Sequence, residues 1–136
     1  MRILLDTHAF LWWLSDDPNL PQSIHNLISR RSHVVLVSAA SAWEITIKVN
    51  LGKLNNAIEL AQDFAGHLAR EQFEPLPISI DHAVRAGLLP GPHKDPFDRM
   101  LIAQAQAENI PIISNDTAFD TYRVNRLWRK HADKPI

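Results

Sequence analysis

Two carboxylates stand at the predicted start of a helix in the stretch HKDPFDRM, residues 93–100. Proline at position 96 suits the first position of that helix, and Asp95 and Asp98 come directly before a long, mostly apolar run. A carboxylate in this place can cap the helix, or it can bind a cation together with acids from other segments. The chemistry therefore depends on which other acids the fold brings to this helix.

Further acids are expected at the same end of the protein. Asp6 ends the first predicted strand, and Asp116 stands two residues past the apolar part of a later strand. Glu44 lies in the first turns of the helix that follows the second strand. Ligands of open parallel α/β sheets bind in the crevice beyond the carboxyl ends of the strands, so we expect these acids and Asp98 to face one crevice.

Such a cluster predicts a metal site. Glu44 and Asp98 each lie at the N-terminal end of the apolar face of their helix, and this face should pack on the sheet. An ionised carboxylate near a core is costly unless it is compensated, and converging carboxylates raise one another's pKa values unless a cation lies between them. An all-oxygen ligand set favours Mg²⁺ or Mn²⁺ over zinc.

Helix capping is the alternative for each acid taken singly. The sequence Asp95-Pro-Phe-Asp98 fits a cap with proline at the first helical position, and Ser41-Ala-Trp-Glu44 fits a capping box. Glu44 could also pair with Lys48 one turn further on. Capping, however, does not require acids from four separate segments to meet at one end of a sheet.

Several neighbours of the acids could orient them by hydrogen bonds, and their ordinary alternative is capping or turn formation. These neighbours are Thr7, Ser41, Asn115 and Thr117. Arg99 could neutralise the acids, contact phosphate or form a surface salt bridge. His8 and His93 are also near in sequence, but a lone histidine is more often packed or solvated, and the expected chemistry needs no histidine base.

Composition predicts one soluble domain over residues 1–136. The chain has 136 residues, of which 46% are hydrophobic and 21% charged, and it has no cysteine. The lack of cysteine excludes disulfides, thiolate zinc sites and a cysteine nucleophile. No run approaches the roughly 18 apolar residues of a membrane span, and the apolar run at the N-terminus is too short for a secretory signal. We therefore expect a cytoplasmic protein with no membrane partner.

The net charge of −1 gives a polyanion no overall attraction, so a nucleic-acid partner would have to be attracted locally. Basic residues gather in one C-terminal segment, namely Arg123, Arg126, Arg129, Lys130 and Lys134. A solvated edge or tail is the alternative for this segment.

Apolar runs alternate with helical patterns, which is typical of a parallel sheet covered on both faces. The predicted strands are RILLD, HVVLVS, PLPISI, IPIIS and a weak fifth in VNRLW. Proline in PLPISI suggests an edge strand. Helices are predicted in LPQSIHNLISRR, SAWEITIKVNLGKL, IELAQDFAGHLAREQF, DHAVRAG and PFDRMLIAQAQAEN, and a first helix is predicted to begin with Trp12 and Trp13.

Long sequence blocks resemble PIN-domain proteins, specifically the VapC-type toxins of bacterial toxin–antitoxin pairs. The blocks are LLDTHAFLWWL, SAASAWEITIKVNLGKL and HKDPFDRMLIAQAQAENIPIISND, and they follow the family order to about Trp128. The resemblance implies a doubly wound, three-layer α/β/α fold with a central parallel sheet. It also implies an endoribonuclease dependent on Mg²⁺ or Mn²⁺.

The resemblance further implies particular residues and partners. The metal-binding and catalytic acids would be Asp6, Glu44, Asp98 and Asp116. Asp95 is assigned mainly to capping, with an outer-sphere role in addition, and Ser114 stands where many relatives have threonine. RNA would be the substrate, a cognate antitoxin would cover the groove, and the protein would form a homodimer.

Two rival functions remain open at this stage. One is an aspartate-dependent phosphatase-like domain, although phosphatases of the haloacid dehalogenase type need an aspartate where this chain has His8. A receiver domain would need an aspartate at the end of its third strand, and PLPISI has none. The other rival is a non-catalytic α/β binding module whose acids only cap helices.

Overall fold

The computed structural model describes residues 1–93 and 95–129. Within them, five strands form one parallel sheet in the order β3-β2-β1-β4-β5. The strands are β1 (Arg2–Leu5), β2 (Val34–Ser38), β3 (Glu74–Leu76), β4 (Ile112–Ile113) and β5 (Arg126–Leu127). The helices are α1 (Thr7–Leu14), α2 (Gln22–Ser29), α3 (Ala39–Asn50), α4 (Ile58–Gln62), α5 (Phe64–Glu71), α6 (Ile80–Leu88) and α7 (Pro96–Glu108), with 3₁₀ turns at Asn55–Ala57 and Thr117–Thr121.

Helices cover both faces of the sheet. Successive residues of a strand point to opposite faces, so Ile3 and Leu5 join a core with Phe10 of α1 on one side. Leu4 joins a second core with Ile102 of α7 on the other side. Because both faces are buried, the strands are continuous apolar runs rather than alternating ones. The predicted three-layer α/β/α fold with a central parallel sheet is therefore confirmed.

The strand order creates a switch point between β1 and β4. The chain runs from β1 outward through β2 to β3 on one side, then returns to place β4 on the other side of β1. Leu5 pairs with Ile113 at the carboxyl ends of these two central strands. Crevices at such switch points are the usual ligand sites of open α/β sheets.

Two expectations for the middle of the chain need correction. β3 is an edge strand, as predicted from its proline, but it ends at Leu76, and Ser79 caps α6 instead of lying in a strand. The single helix predicted over residues 58–73 is wrong. Asp63 leaves the helical conformation with φ −148° and ψ 61°, and its side chain caps α5 through a hydrogen bond from the Gly66 amide.

The first helix also begins earlier than predicted. It starts at Thr7, directly after β1, because the Asp6 side chain caps it, so Trp12 and Trp13 lie in its second half. No helix in the described ranges is long and apolar enough to cross a bilayer. That residues 1–136 form a single domain stays a prediction.

Candidate metal centre

Asp6 lies at the carboxyl end of β1 and is almost fully buried. Its Oδ1 accepts a hydrogen bond of 2.7 Å from the amide of Ala9, and the Ser114 side chain also hydrogen-bonds to its carboxyl group. Burial raises the pKa of Asp6 above its ordinary value of 3.8, and the nearby charge of Asp116 adds to the rise. The hydrogen bonds and the charge of His8 act in the opposite direction. Asp6 thus combines a capping role with a place at the switch point.

Glu44 projects from α3, and its side chain is also buried. Lys48 donates a 2.9 Å hydrogen bond to its Oε2, which is the predicted pairing one turn along the helix. Its Oε1 is buried and has no hydrogen-bond partner among the described residues. The predicted capping box is wrong, because Ser38 caps α3 and Ser41 lies inside the helix. Glu44 is therefore free of a capping role.

Asp95 and Asp98 divide two roles between them at the start of α7. Asp95 is the cap, since its Oδ1 accepts hydrogen bonds from the amides of Phe97 at 2.8 Å and Asp98 at 3.2 Å. Asp98 Oδ2 lies 2.9 Å from His93 Nε2. Burial raises the pKa of Asp98 to about 6, and the charges of Asp95 and Glu44 add to this rise, while the hydrogen bond from His93 opposes it.

Asp116 follows β4 and caps the 3₁₀ turn after it, with its Oδ1 accepting a 2.9 Å hydrogen bond from the Ala118 amide. The ligand atoms that Asp116, Asp98 and His93 offer all lie within 4.8 Å of one another. Asp116 also acts electrostatically on Asp6, as Glu44 does on Asp98. Asp98 and Asp116 therefore lie together with His93, while Asp6 and Glu44 are linked to this group through their electrostatic effects.

His93 is the residue that sequence reasoning passed over. Its ring is half-buried and bonded to Asp98, so it belongs to the cluster rather than to the solvated surface. The available signal was its position just ahead of the Asp95 cap, in a loop that must return to the helix start.

The neighbours proposed to orient the acids divide into two groups. Thr7 donates a buried hydrogen bond of 2.9 Å to the Ser41 hydroxyl. Asn115 and Thr117 are exposed, and within the described residues their side chains bond to none of the acids.

Arg99 bonds to the backbone rather than to an acid among the described residues, and its contact with phosphate stays a prediction. It donates hydrogen bonds to the backbone carbonyls of Ala86, Leu89 and His93, so it braces the loop between α6 and α7. Three of the five N–H donors of the guanidinium group are thus directed at backbone carbonyls of this loop.

The arginines of the predicted basic segment differ in their surroundings. Arg126 binds both oxygens of Asp120, at 2.8 and 3.0 Å, and also the carbonyl of Ser114. Arg123 and Arg129 are exposed, while Lys130 and Lys134 lie outside the described residues.

The cluster fits a hard divalent cation. A buried carboxylate oxygen without a partner, such as Glu44 Oε1, is costly unless a cation or a donor meets it. The raised pKa values of Asp6 and Asp98 reflect the same situation, because the site buries negative charge with little positive charge to offset it. Carboxylate oxygens are the ligands that Mg²⁺ and Mn²⁺ prefer.

The PIN domain family matches residues 3–125, and the chain belongs to that family. Its fold is similar to a chain in the crystal structure of VapBC2 from Rickettsia felis bound to a DNA fragment from their promoter. That match has 18% identity and a TM-score of 0.72, and covers 95% of this chain and 100% of the other. No curated protein matches the chain significantly in sequence.

Two further structures have the same fold. A chain of FitAcB from Neisseria gonorrhoeae is 21% identical, with a TM-score of 0.66 and coverage of 92% of this chain and 96% of that one. A chain of a toxin–antitoxin complex from Klebsiella pneumoniae is 18% identical, with a TM-score of 0.64 and coverage of 92% and 95%. The resemblance to PIN-domain proteins found in the sequence is thereby confirmed.

Proposed function

We propose that this protein is an endoribonuclease dependent on Mg²⁺ or Mn²⁺, and that it is the toxin of a toxin–antitoxin pair. PIN domains are generally nucleases. The observation that carries the proposal is the buried Oε1 of Glu44, which has no hydrogen-bond partner among residues 1–93 and 95–129 and lies among acids at the switch point of the sheet. A carboxylate that only carries surface charge has its oxygens in water, whereas a metal ligand needs an oxygen that is not already bonded to a donor.

In this proposal Asp6, Glu44, Asp98 and Asp116 hold the ion. When bound, the ion would supply a water of lowered pKa as the nucleophile and stabilise charge on the phosphate oxygens. The chain fixes the ligands beforehand: Ala9 and Ser114 orient Asp6, and Lys48 holds Oε2 of Glu44 and leaves Oε1 for the ion. Preorganised ligands of this kind need little rearrangement when substrate binds.

Water rather than the RNA 2′-hydroxyl is the proposed nucleophile. Cleavage should therefore leave a 5′-phosphate and a 3′-hydroxyl, which ligation assays and mass spectrometry of the products can identify. Products ending in a 2′,3′-cyclic phosphate would exclude this scheme. Sequencing the RNA ends generated when the protein is expressed without its antitoxin would identify the substrate RNA and the cleavage site.

Replacement of single acids tests the assignment. Asp6→Asn and Asp116→Asn should each lower metal-dependent RNA cleavage by at least about 100-fold, because each removes a charged ligand. Glu59→Gln, an exposed acid on α4, is the matched control and should cleave normally. Full cleavage by either aspartate variant would refute the catalytic assignment.

A metal titration separates the proposed enzyme from a non-catalytic binding module. Mg²⁺ or Mn²⁺ should raise the melting temperature of the wild-type protein, because a ligand that binds only the native state stabilises it. The same titration should leave the melting temperature of Asp116→Asn almost unchanged. A wild-type melting temperature independent of both ions would favour the binding module.

The proposed partners are RNA and a cognate antitoxin, met in the cytoplasm. The negative cluster favours an antitoxin segment that covers it with a basic side chain. Co-expression of the antitoxin should suppress RNA cleavage, and it should do so less well when that basic residue is replaced by alanine.

We also propose a homodimer formed through α6. Ile80, Val84 and Leu88 recur at every fourth position and are exposed, and Trp43 of α3 is 62% exposed close to the same helix. An uncharged stripe of this kind suits a second copy of the same surface. Light scattering should give twice the monomer mass for the wild type and the monomer mass for Leu88→Asp. A wild-type monomer would refute the dimer.

A further inference from the structure

We propose that His93 is a nitrogen ligand of the ion, so that the centre has mixed nitrogen and oxygen ligands instead of carboxylates alone. The inference rests on the proposed function in one respect, namely that the acid cluster holds a divalent ion. A nitrogen ligand would shift the preference of the site from Mg²⁺ toward Mn²⁺ and other first-row ions, because imidazole is a softer ligand than a carboxylate.

The geometry of the side chains suits a shared ion. His93 Nε2 lies 2.9 Å from Asp98 Oδ2, and the ligand atoms of both lie within 4.8 Å of one on Asp116. Neighbouring ligands of a six-coordinate ion with bonds of about 2.1 Å are about 3 Å apart. The His93 and Asp98 pair is therefore at the spacing of neighbouring ligands, and the Asp116 carboxylate is near enough to bind the same ion after a small side-chain movement.

The backbone of His93 is fixed from both sides. Its amide donates to the Tyr122 hydroxyl at 3.1 Å, and its carbonyl accepts a 3.0 Å hydrogen bond from Arg99. The ring also packs against Phe119, with 6.1 Å between ring centroids. Both of these aromatic residues belong to the buried core on the α7 face of the sheet. A ligand held this firmly loses little entropy when it binds an ion.

The loop before His93 allows Tyr122 to reach the His93 amide. Gly91 has φ +108°, and a Cβ at this position would lie 2.9 Å from the Tyr122 hydroxyl oxygen. Glycine therefore lets the loop pass directly over Tyr122, which in turn holds the His93 amide.

Pulsed electron paramagnetic resonance of the Mn²⁺-bound full-length chain tests the proposal directly. The wild-type spectrum should show coupling of Mn²⁺ to a coordinated ¹⁴N nucleus, and this coupling should become that of ¹⁵N when the protein is labelled with ¹⁵N-histidine. The measurement needs no variant and no RNA. Bound Mn²⁺ without any nitrogen coupling would overturn the proposal.

A pair of histidine variants assigns the nitrogen. His93→Gln should abolish the nitrogen coupling and weaken Mn²⁺ binding by about 10- to 100-fold in a calorimetric titration, with a smaller effect on Mg²⁺. His8→Gln replaces the exposed histidine near Asp6 and should leave the nitrogen coupling in place. Nitrogen coupling retained in His93→Gln, or lost in His8→Gln, would refute the assignment.

The same experiments distinguish the failure of this inference from the failure of the proposed function. If the wild-type protein binds Mn²⁺ through oxygen ligands alone, His93 only holds Asp98 by a hydrogen bond, and this inference is wrong while the metal centre stands. If the wild-type protein binds neither Mn²⁺ nor Mg²⁺, the metal centre itself is wrong, and the ligand role of His93 is wrong with it.

Discussion

The hydroxyl of Thr7 donates a hydrogen bond of 2.9 Å to the hydroxyl of Ser41, and both side chains are buried. Thr7 follows Asp6 in the chain, and Ser41 precedes Glu44 by one helical turn. The bond therefore joins α1 to α3 next to two of the acids. It helps to hold Asp6, at the end of β1, in place relative to Glu44, on the helix after β2, and both are proposed ligands.

Thr7→Val should loosen this connection without changing the shape of the side chain. The variant leaves the buried Ser41 hydroxyl without its donor, so the free energy of unfolding should fall by about 1 to 2 kcal/mol in urea titrations. Thr46→Val on the same helix is the control, since Thr46 bonds only to carbonyls of its own helix, and it should cost less. Mn²⁺ affinity should fall only in Thr7→Val. Equal effects of the two variants would show that the inter-helix bond has no special role.

Asp98→Asn should stabilise the metal-free protein at neutral pH. The pKa of Asp98 is raised from 3.8 to about 6, so between these values the folded state keeps a proton that the unfolded state has released. Stability from this group is therefore present at low pH and is lost as the pH rises through that window. The variant should match the wild type at about pH 4 and exceed it by about 1 to 3 kcal/mol at about pH 7.5.

Urea titrations in the presence of a chelator, repeated at several pH values, measure this difference. Glu59→Gln is the control, because it removes an exposed carboxylate outside the cluster. An advantage of Asp98→Asn that is constant from low to neutral pH would contradict the explanation based on protonation.

Metal binding should weaken in acid. Protons compete with the ion for Asp98, whose pKa is about 6, and for Asp6, whose pKa is also raised. Below about pH 6 the affinity for Mg²⁺ should fall by roughly tenfold per pH unit for each proton displaced. Isothermal calorimetry in buffers of different ionisation enthalpy would count the released protons. A constant affinity across this interval would mean that neither acid is a ligand.

Arg99→Lys should disturb the site, although Arg99 forms no ion pair with an acid in the part of the chain that the structure describes. The guanidinium group bonds to the carbonyls of Ala86, Leu89 and His93, and a lysine ammonium group cannot meet all three in this geometry. We expect a loss of about 1 to 3 kcal/mol in the free energy of unfolding, together with weaker Mn²⁺ binding. Arg85→Lys changes an exposed arginine paired with Asp81 and should have little effect. Unchanged Mn²⁺ binding in Arg99→Lys would show that the loop does not position the site.

Most of the fold follows from the sequence because its signals are local. Apolar runs such as RILL and VVLVS predict central strands, and proline predicts the edge position of β3. The break at Asp63 was missed because the residues on both sides of it keep helical spacing, while the change in direction depends on a cap that only the packed structure reveals. The same limitation placed the start of α1 too late.

The positions of the four candidate acids in the fold could be predicted for a different reason. Strand ends and helix starts are readable from the sequence, and in a parallel sheet all of them lie at one edge. His93 could not be assigned in this way, because it lies in a loop whose path depends on Arg99, Tyr122 and Gly91. Asn115 and Thr117 were expected to bond to the acids because they are adjacent in sequence. Adjacency does not determine the direction in which a side chain points from a turn.

The switch point has a consequence for synthesis. Asp6 is translated well before Asp116, which follows β4. In the sheet, β4 lies between β1 and β5, and β5 is translated later still. The proposed centre therefore cannot assemble on a nascent chain until the segment after β4 has been translated. Under the proposed function, a chain that has not yet been elongated through this segment would have no complete metal centre and therefore no nuclease activity.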